Sequence, residues 1–291
     1  ASFRNVQELL ASLFDFHDLS LGSVHNIVSE AVAGARAVNQ AEDLSRVRVG
    51  AHDEIFQAGQ PALVGMDVAS TYCYLLAAES HRDETTWGVH LLELEARGLR
   101  PDYTIADFGS GLRAGQAAAW PDRPCHGDVF HAELEFGRLA VFLENRALGA
   151  IATRDKLERK MGRAKANGKG QALSTRLALA RQAEVKALAL ADDIGLIAAW
   201  MRTDVLASAG PEWASRSSLY DFLVQELGAR EALCPHRIGP VFRLLQNQRE
   251  ALLAFVRIQD ERYAEIAVQQ QIPVAQVQAV AELQALDANH P

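Results

Sequence analysis

Disulfide chemistry has little to work with in this chain. Its three cysteines, Cys73, Cys125 and Cys234, are far apart and odd in number, which argues against a disulfide framework and agrees with a reducing compartment. No uninterrupted apolar run approaches the roughly 20 residues of a membrane span, and no charged-then-apolar leader opens the sequence. A cytoplasmic location without a membrane partner is therefore expected. Basic residues are outnumbered, 29 Lys and Arg against 37 Asp and Glu, for a net charge of -8. That balance speaks mildly against a protein that coats nucleic acid, because phosphate binding needs a local excess of Lys and Arg. What is present is an ordinary globular composition, 49% hydrophobic and 23% charged, over 291 residues, enough for two domains. The chain opens on Ala1 and closes on Pro291 after a helical pattern without a closing signal, so both ends read as cuts in a longer protein.

One segment reverses the charge. Arg154, Lys156, Arg159, Lys160, Arg163, Lys165, Lys169, Arg176 and Arg181 face only Asp155 and Glu158 within it. It reads either as a solvated helix face with a flexible tip at Asn167-Gly168-Lys169-Gly170, or as a DNA-contact surface centred on Arg159, Lys160, Arg163, Lys165 and Lys169.

The hydrophobic period divides the chain in three. Residues 1–43 hold two helical patterns, Val6, Leu9, Leu10, Leu13 and Phe14, then Leu21, Val24, Ile27, Val28 and Val32, with Ser20 as an N-cap between them. An ordinary helical hairpin fits, and so does a helix-turn-helix that would present Ser23, His25, Asn26 and Ser29 to a DNA groove. Residues 44–131 switch to strand patterning. Strands are predicted from residue 46 to Asp53, from Pro61 to Val68 and from Thr71 to Ala78, then a helix from Thr85 to Arg97, a strand over 102–107, a helix from Leu112 to Trp120 and a strand from Pro124 to Phe130. The order β-β-β-α-β-α-β is that of an α/β, ribonuclease H-like mixed sheet. Residues 132–291 read as helices throughout, over 132–207, 215–232, 238–255 and 258–286, with His236-Arg237 as a loop between prolines.

The stretch TIADFGSG, residues 104 to 111, poses the functional question: Asp107 ends a strand and glycines follow. A nucleoside cofactor loop of an S-adenosylmethionine-dependent methyltransferase has this DxGxG form, with Asp128 available for a ribose. That fold needs further strands downstream, where only helices are predicted. A kinase-like Asp-Phe-Gly lacks its Gly-rich loop and HRD partner here. The third reading places Asp53 of the first strand beside Asp107 of the fourth, where two carboxylates share a divalent metal; oxygen ligands suit Mg2+ or Mn2+, and two metals about 4 Å apart serve phosphodiester cleavage and strand transfer. Asp67, in GMDVAS, is the rival for the first carboxylate and reads as a turn residue. Cys125, His126, Asp128 and His131 are all zinc-ligand types, but strand alternation turns Cys125 and His126 to opposite faces.

HDEIFQAGQPALVGMD, TIADFGSGLRAGQ and PCHGDVFH together resemble the DDE transposases of the Mutator-like and bacterial insertion-sequence group. The resemblance covers residues 46–131 by motif and the rest by layout. It implies a ribonuclease H-like core with an N-terminal helix-turn-helix and a large helical insertion, metal held by Asp53 and Asp107, and Asp128 and His131 positioning the scissile phosphate or the second carboxylate. It also implies Mg2+ or Mn2+ as cofactor, double-stranded DNA as partner, a homo-oligomer on that DNA and a bacterial, nucleoid-associated setting. The family's third acid, a Glu on a helix beyond the insertion, has no matching motif. The alternatives are Glu226, Glu231, Glu250 or Glu261, Glu133 or Glu135 at a shorter spacing, or a residue past Pro291. Without it, the implied protein is a DNA-binding descendant of a transposase.

Overall fold

The computed structural model describes residues 2–166 and 171–288. The chain divides into two compact units, residues 1–104 with 109–124, and residues 105–108 with 125–291, so that the division runs through a strand.

The first unit begins with α1 (Phe3–Phe14) and α2 (Leu21–Ala41). The Ser2 hydroxyl accepts from the Asn5 amide and that of Ser20 from the Ser23 amide, each satisfying a donor that the helix start would orphan. A single 3-10 turn, Leu44–Arg46, leads into β1 (Val49–Gln57), which pairs antiparallel with β2 (Gln60–Asp67) and through it with β3 (Cys73–Ala78). Residues Ala58 and Gly59, at φ 50° and 83°, close the β1–β2 hairpin, the two-residue turn with positive φ that matches strand twist. Ala58 is strained there by its Cβ. Ala58→Asn is expected to raise stability by about 1 kcal/mol, read as a higher urea midpoint at unchanged slope.

Helix α3 (Glu84–Ala96) starts on Asp83, whose carboxylate accepts from the Thr86 amide and hydroxyl, and ends before Gly98 at φ 94°. Strand β4 (Tyr103–Ala106) and helix α4 (Ser110–Ala119) follow. A Cβ on Gly115 would stand 2.6 Å from Trp87 Cβ, and one on Gly111 would meet the Arg82 carbonyl. These glycines let α4 lie against α3 and the segment before it. The five strands form one sheet in the order β3-β2-β1-β4-β5, with β5 at Cys125–Gly127.

The second unit is helical: α5 (Val129–Ala166), α6 (Gln171–Trp200) running on through a π-helical turn at Met201–Val205, α7 (Trp213–Ala229), α8 (Pro235–Gln270) and α9 (Val274–Ala288). Leu139 and Leu143 of α5, Ile194 and Ile197 of α6, Leu223 of α7 and Leu245 and Leu252 of α8 form its core. Arg216 is 2% exposed and donates to the carbonyls of Val205, Ala207 and Pro211, neutralising the carbonyl-rich end of the turn beyond α6. No described helix is long and apolar enough to cross a membrane.

Several sequence expectations shift. Strand β1 runs four residues past Asp53, because Glu54, Ile55 and Phe56 still pair with Leu63, Ala62 and Pro61; Asp53 is therefore mid-strand. Strand β5 stops at Gly127 instead of Phe130, since Asp128 caps a helix there, its Oδ1 accepting from the Phe130 amide at 2.8 Å. His236-Arg237 is the opening of α8 instead of a loop, because Pro235 occupies the first helical position, where its missing N–H costs nothing. Helix α8 continues unbroken through 256–258 to Gln270, and the interruption falls at Gln271 (φ 56°) before Pro273.

Candidate metal centre

Alternation along β1 sends successive side chains to opposite faces of the sheet. His52 and Glu54 take one face. The His52 ring is fully buried beside Trp87 and Trp120, and its Nε2 meets the Tyr74 hydroxyl at 2.8 Å. Glu54 is committed to structure: its carboxylate accepts from Arg82 Nη1 at 2.6 Å and from the Trp87 indole N–H at 3.0 Å. Asp53 takes the other face and is exposed, with one carboxylate oxygen accepting from the Glu54 amide. The Asp-Glu pair that looks like a double motif is thus one ligand candidate and one structural anion.

Asp107 follows the last residue of β4, the sheet neighbour of β1, and is half-buried. His131 lies in the first turn of α5 and is half-buried as well. Asp53, Asp107 and His131 each offer a ligand atom, and these atoms lie within 4.8 Å of one another. Among the described residues no other group of three His, Cys, Asp or Glu converges in this way. The zinc combination of Cys125, His126, Asp128 and His131 does not appear.

Asp128 plays a supporting part. As the residue that caps α5 it stands one turn from His131, and its Oδ2 is 2.7 Å from the imidazole Nδ1. A carboxylate there fixes the Nδ1–H tautomer and leaves Nε2 as the nitrogen with a lone pair to give, the usual arrangement behind a metal-ligating histidine. The spacing Asp-x-x-His carried this information, but only a helix, not the predicted strand, brings the two side chains to one side.

Asp67 closes β2, where its Oδ2 accepts from the amide of Ser70 at 2.9 Å and from its hydroxyl. Those hydrogen bonds hold its carboxyl below the usual range, so it serves the β2–β3 turn as the sequence suggested. None of the other glutamates weighed as a third acid joins the group. Glu226 pairs with Arg230, Glu231 with Arg243, Glu250 with Arg249 and Arg257, and Glu135 with Arg138. Glu133 is two residues from His131, which on a helix turns it to the opposite side. It lines a cavity of about 610 Å³ with Phe130, Phe142 and Arg202, where burial chiefly raises its pKa.

The basic segment forms the adjoining ends of α5 and α6. Arg154 is held by Glu158 and Glu184, and Arg181, which stays exposed, by Glu158, so both are paired within the helix hairpin. Arg159, Lys160 and Arg163 are exposed or partly so. Lys165 belongs to α5, and Lys169 lies outside the described residues. At the N-terminus, Ser23 is engaged with the Ser20 cap and the His25 ring meets Phe3 edge-on at 5.6 Å, while Asn26 is exposed.

No family model matches the chain, and no curated protein is significantly similar to it.

Proposed function

We propose that this chain is the metal-binding part of a DDE-type DNA transposase, acting on double-stranded DNA at transposon ends. The convergence of Asp53, Asp107 and His131 carries the reading. The strand order β3-β2-β1-β4-β5 supports a ribonuclease H-like sheet, in which the first and fourth strands are neighbours. The glycines after Asp107 favour this reading over a methyltransferase loop, because the close approach of the Arg82 backbone already excludes a Cβ at Gly111.

Two carboxylates and one imidazole fit a divalent cation of the first transition row. Imidazole nitrogen is a poorer partner for Mg2+ than for Mn2+, so Mn2+ is the better occupant of this donor set. Such an ion would activate a water or 3′-hydroxyl and neutralise charge on the leaving oxygen. The protein's own groups would hold it in place: Asp53 and Asp107 would give oxygens and His131 its Nε2, with Asp128 orienting the ring. Of the two candidate DNA surfaces, Arg159, Lys160 and Arg163 have the charge that phosphate binding requires.

A second reading has its own support. No further described carboxylate joins the group, which favours a transposase-derived protein that binds metal and DNA without cutting. Melting curves separate the possibilities. With 1 mM MnCl2 the melting temperature is expected to rise by a few degrees, more than with MgCl2, and S-adenosylmethionine is expected to leave it unchanged. A rise with S-adenosylmethionine alone would sink the metal reading. Metal binding without any nicking of DNA would select the non-cutting descendant.

A further inference from the structure

The N-terminal hairpin presents more apolar surface than the described chain covers. On α1, Phe3, Val6, Leu10 and Leu13 fall at alternating steps of three and four residues, and on α2 Leu21, Val24, Val28, Ala31 and Ala35 do the same. That is the 3.5-residue period of a coiled-coil seam. Only Val24 of this set is buried, and α1 has no buried residue. Leu13 and Phe14 are 64% and 70% exposed, and Ile27 and Val32 are 57% and 68%. With Phe3, Leu9, Leu21 and Val28 they present on the order of 800 Å² of apolar side chain, the area each partner contributes to a stable protein interface. Single exposed apolar residues are ordinary, but a cluster of them on two packed helices, flanking the half-buried Val6 and Leu10 and the buried Val24, marks a docking surface.

The charges select the partner. Residues 1–43 hold Arg4 and Arg36 against Glu8, Asp15, Asp18, Glu30, Glu42 and Asp43, an acidic excess that disfavours DNA and anionic lipid alike. At 3.6 residues per turn, Arg4, Glu8 and Glu30 fall on the helix sides away from the seam, so none of these three charges is buried when the seam is covered. A seam of this period is matched by another with the same period. A second copy of the hairpin supplies one around a twofold axis, each copy giving the other the same patch.

We propose that α1 and α2 of two copies pack seam to seam as a four-helix bundle, making the protein a dimer through its N-terminal hairpin. The bundle is independent of the metal centre and of the reaction assigned to it.

Sedimentation velocity of the whole chain tests this, alongside a Leu13→Glu/Val28→Glu variant and, as a control, Leu76→Glu at an exposed apolar position on β3. The wild type and Leu76→Glu are expected to sediment as dimers. The double variant is expected to be monomeric, with association weakened at least about a hundredfold and helix content by circular dichroism unchanged, since both replaced side chains are exposed. A wild-type chain that remains monomeric at about 100 µM overturns the proposal, as does a double variant that stays dimeric. If the double variant loses helix content, the wild-type melting temperature decides: a rise with protein concentration supports the dimer, and a constant value refutes it.

Discussion

Asp107→Asn is expected to abolish Mn2+-dependent nicking of transposon-end DNA, a loss of at least about a thousandfold in rate. The substitution keeps the side chain's shape and removes the charge, so a fold defect cannot account for the result if the melting temperature without metal is preserved. Asp53→Asn is expected to behave alike, because the two carboxylates carry the negative charge of the group. Asp128→Asn should differ in kind. It leaves the ligand set intact and disturbs only the orientation and tautomer of His131, which lowers metal affinity by about 10- to 100-fold. Raising the Mn2+ concentration should therefore restore nicking to Asp128→Asn and not to Asp107→Asn. Asp67→Asn and Glu54→Gln complete the series. Asp67 is occupied by Ser70, and Glu54 by Arg82 and Trp87, so both variants should lower stability and leave the metal requirement untouched. Should Asp67→Asn eliminate nicking while Asp53→Asn retains it, the first carboxylate has been misassigned.

Period-two patterning identified every strand of the sheet, and the changes of period marked the helical stretches, because burial on one face writes itself directly into residue order. Asp53 and Asp107 stood out for a different reason, as carboxylates on the first and fourth strands of a sheet in which those two strands are neighbours. The role of Asp128 was not legible. Its partnership with His131 depends on where β5 ends, and a strand boundary is decided by a competition between one more ladder pair and a helix cap. Here the cap prevails, since Asp128 satisfies the Phe130 amide and orients the imidazole at once. The glycines of TIADFGSG are ambiguous on their own. Close approach to a phosphate and close approach to another backbone require the same missing Cβ, and at Gly111 the Arg82 backbone makes that approach. The heptad spacing in α1 and α2 was present in the sequence throughout, but an amphipathic face does not say whether the same chain covers it.

Acidification should destabilise the protein between pH 6.5 and about 4, and His52 is the group responsible. Its imidazole is buried between Trp87, Trp120 and the Tyr74 hydroxyl, and burial pushes its pKa down from 6.5 to about 4, with Gln116 pulling weakly the other way. The His52 Nδ1 and the Gln116 amide nitrogen are both buried without a partner at hydrogen-bonding distance, while the Gln116 carbonyl accepts from the Thr104 hydroxyl. Among the described residues no carboxylate is hydrogen-bonded to this ring to compensate a positive charge. The sign follows from linkage. In the unfolded chain His52 takes up a proton near pH 6.5, in the folded protein only near pH 4, so the unfolded state binds more protons over that interval. Stability from the neutral ring is complete above pH 6.5 and is lost as the pH falls toward 4. At 1.36 kcal/mol per pH unit of displacement the loss amounts to about 3 kcal/mol, a large part of the 5–15 kcal/mol typical of a folded domain. Carboxylates held low by hydrogen bonds, such as Asp67, lose their contribution only at more acidic pH, so the two effects are separated on the pH axis. Urea unfolding followed by tryptophan fluorescence reads the result directly, because Trp87 and Trp120 flank the ring. The wild-type midpoint is expected to fall steadily from pH 7 to pH 4.5. His52→Gln should start lower, having lost packing against the two indoles, and show a nearly flat profile over the same range. Parallel profiles for the two proteins would mean that another group controls the acid limb.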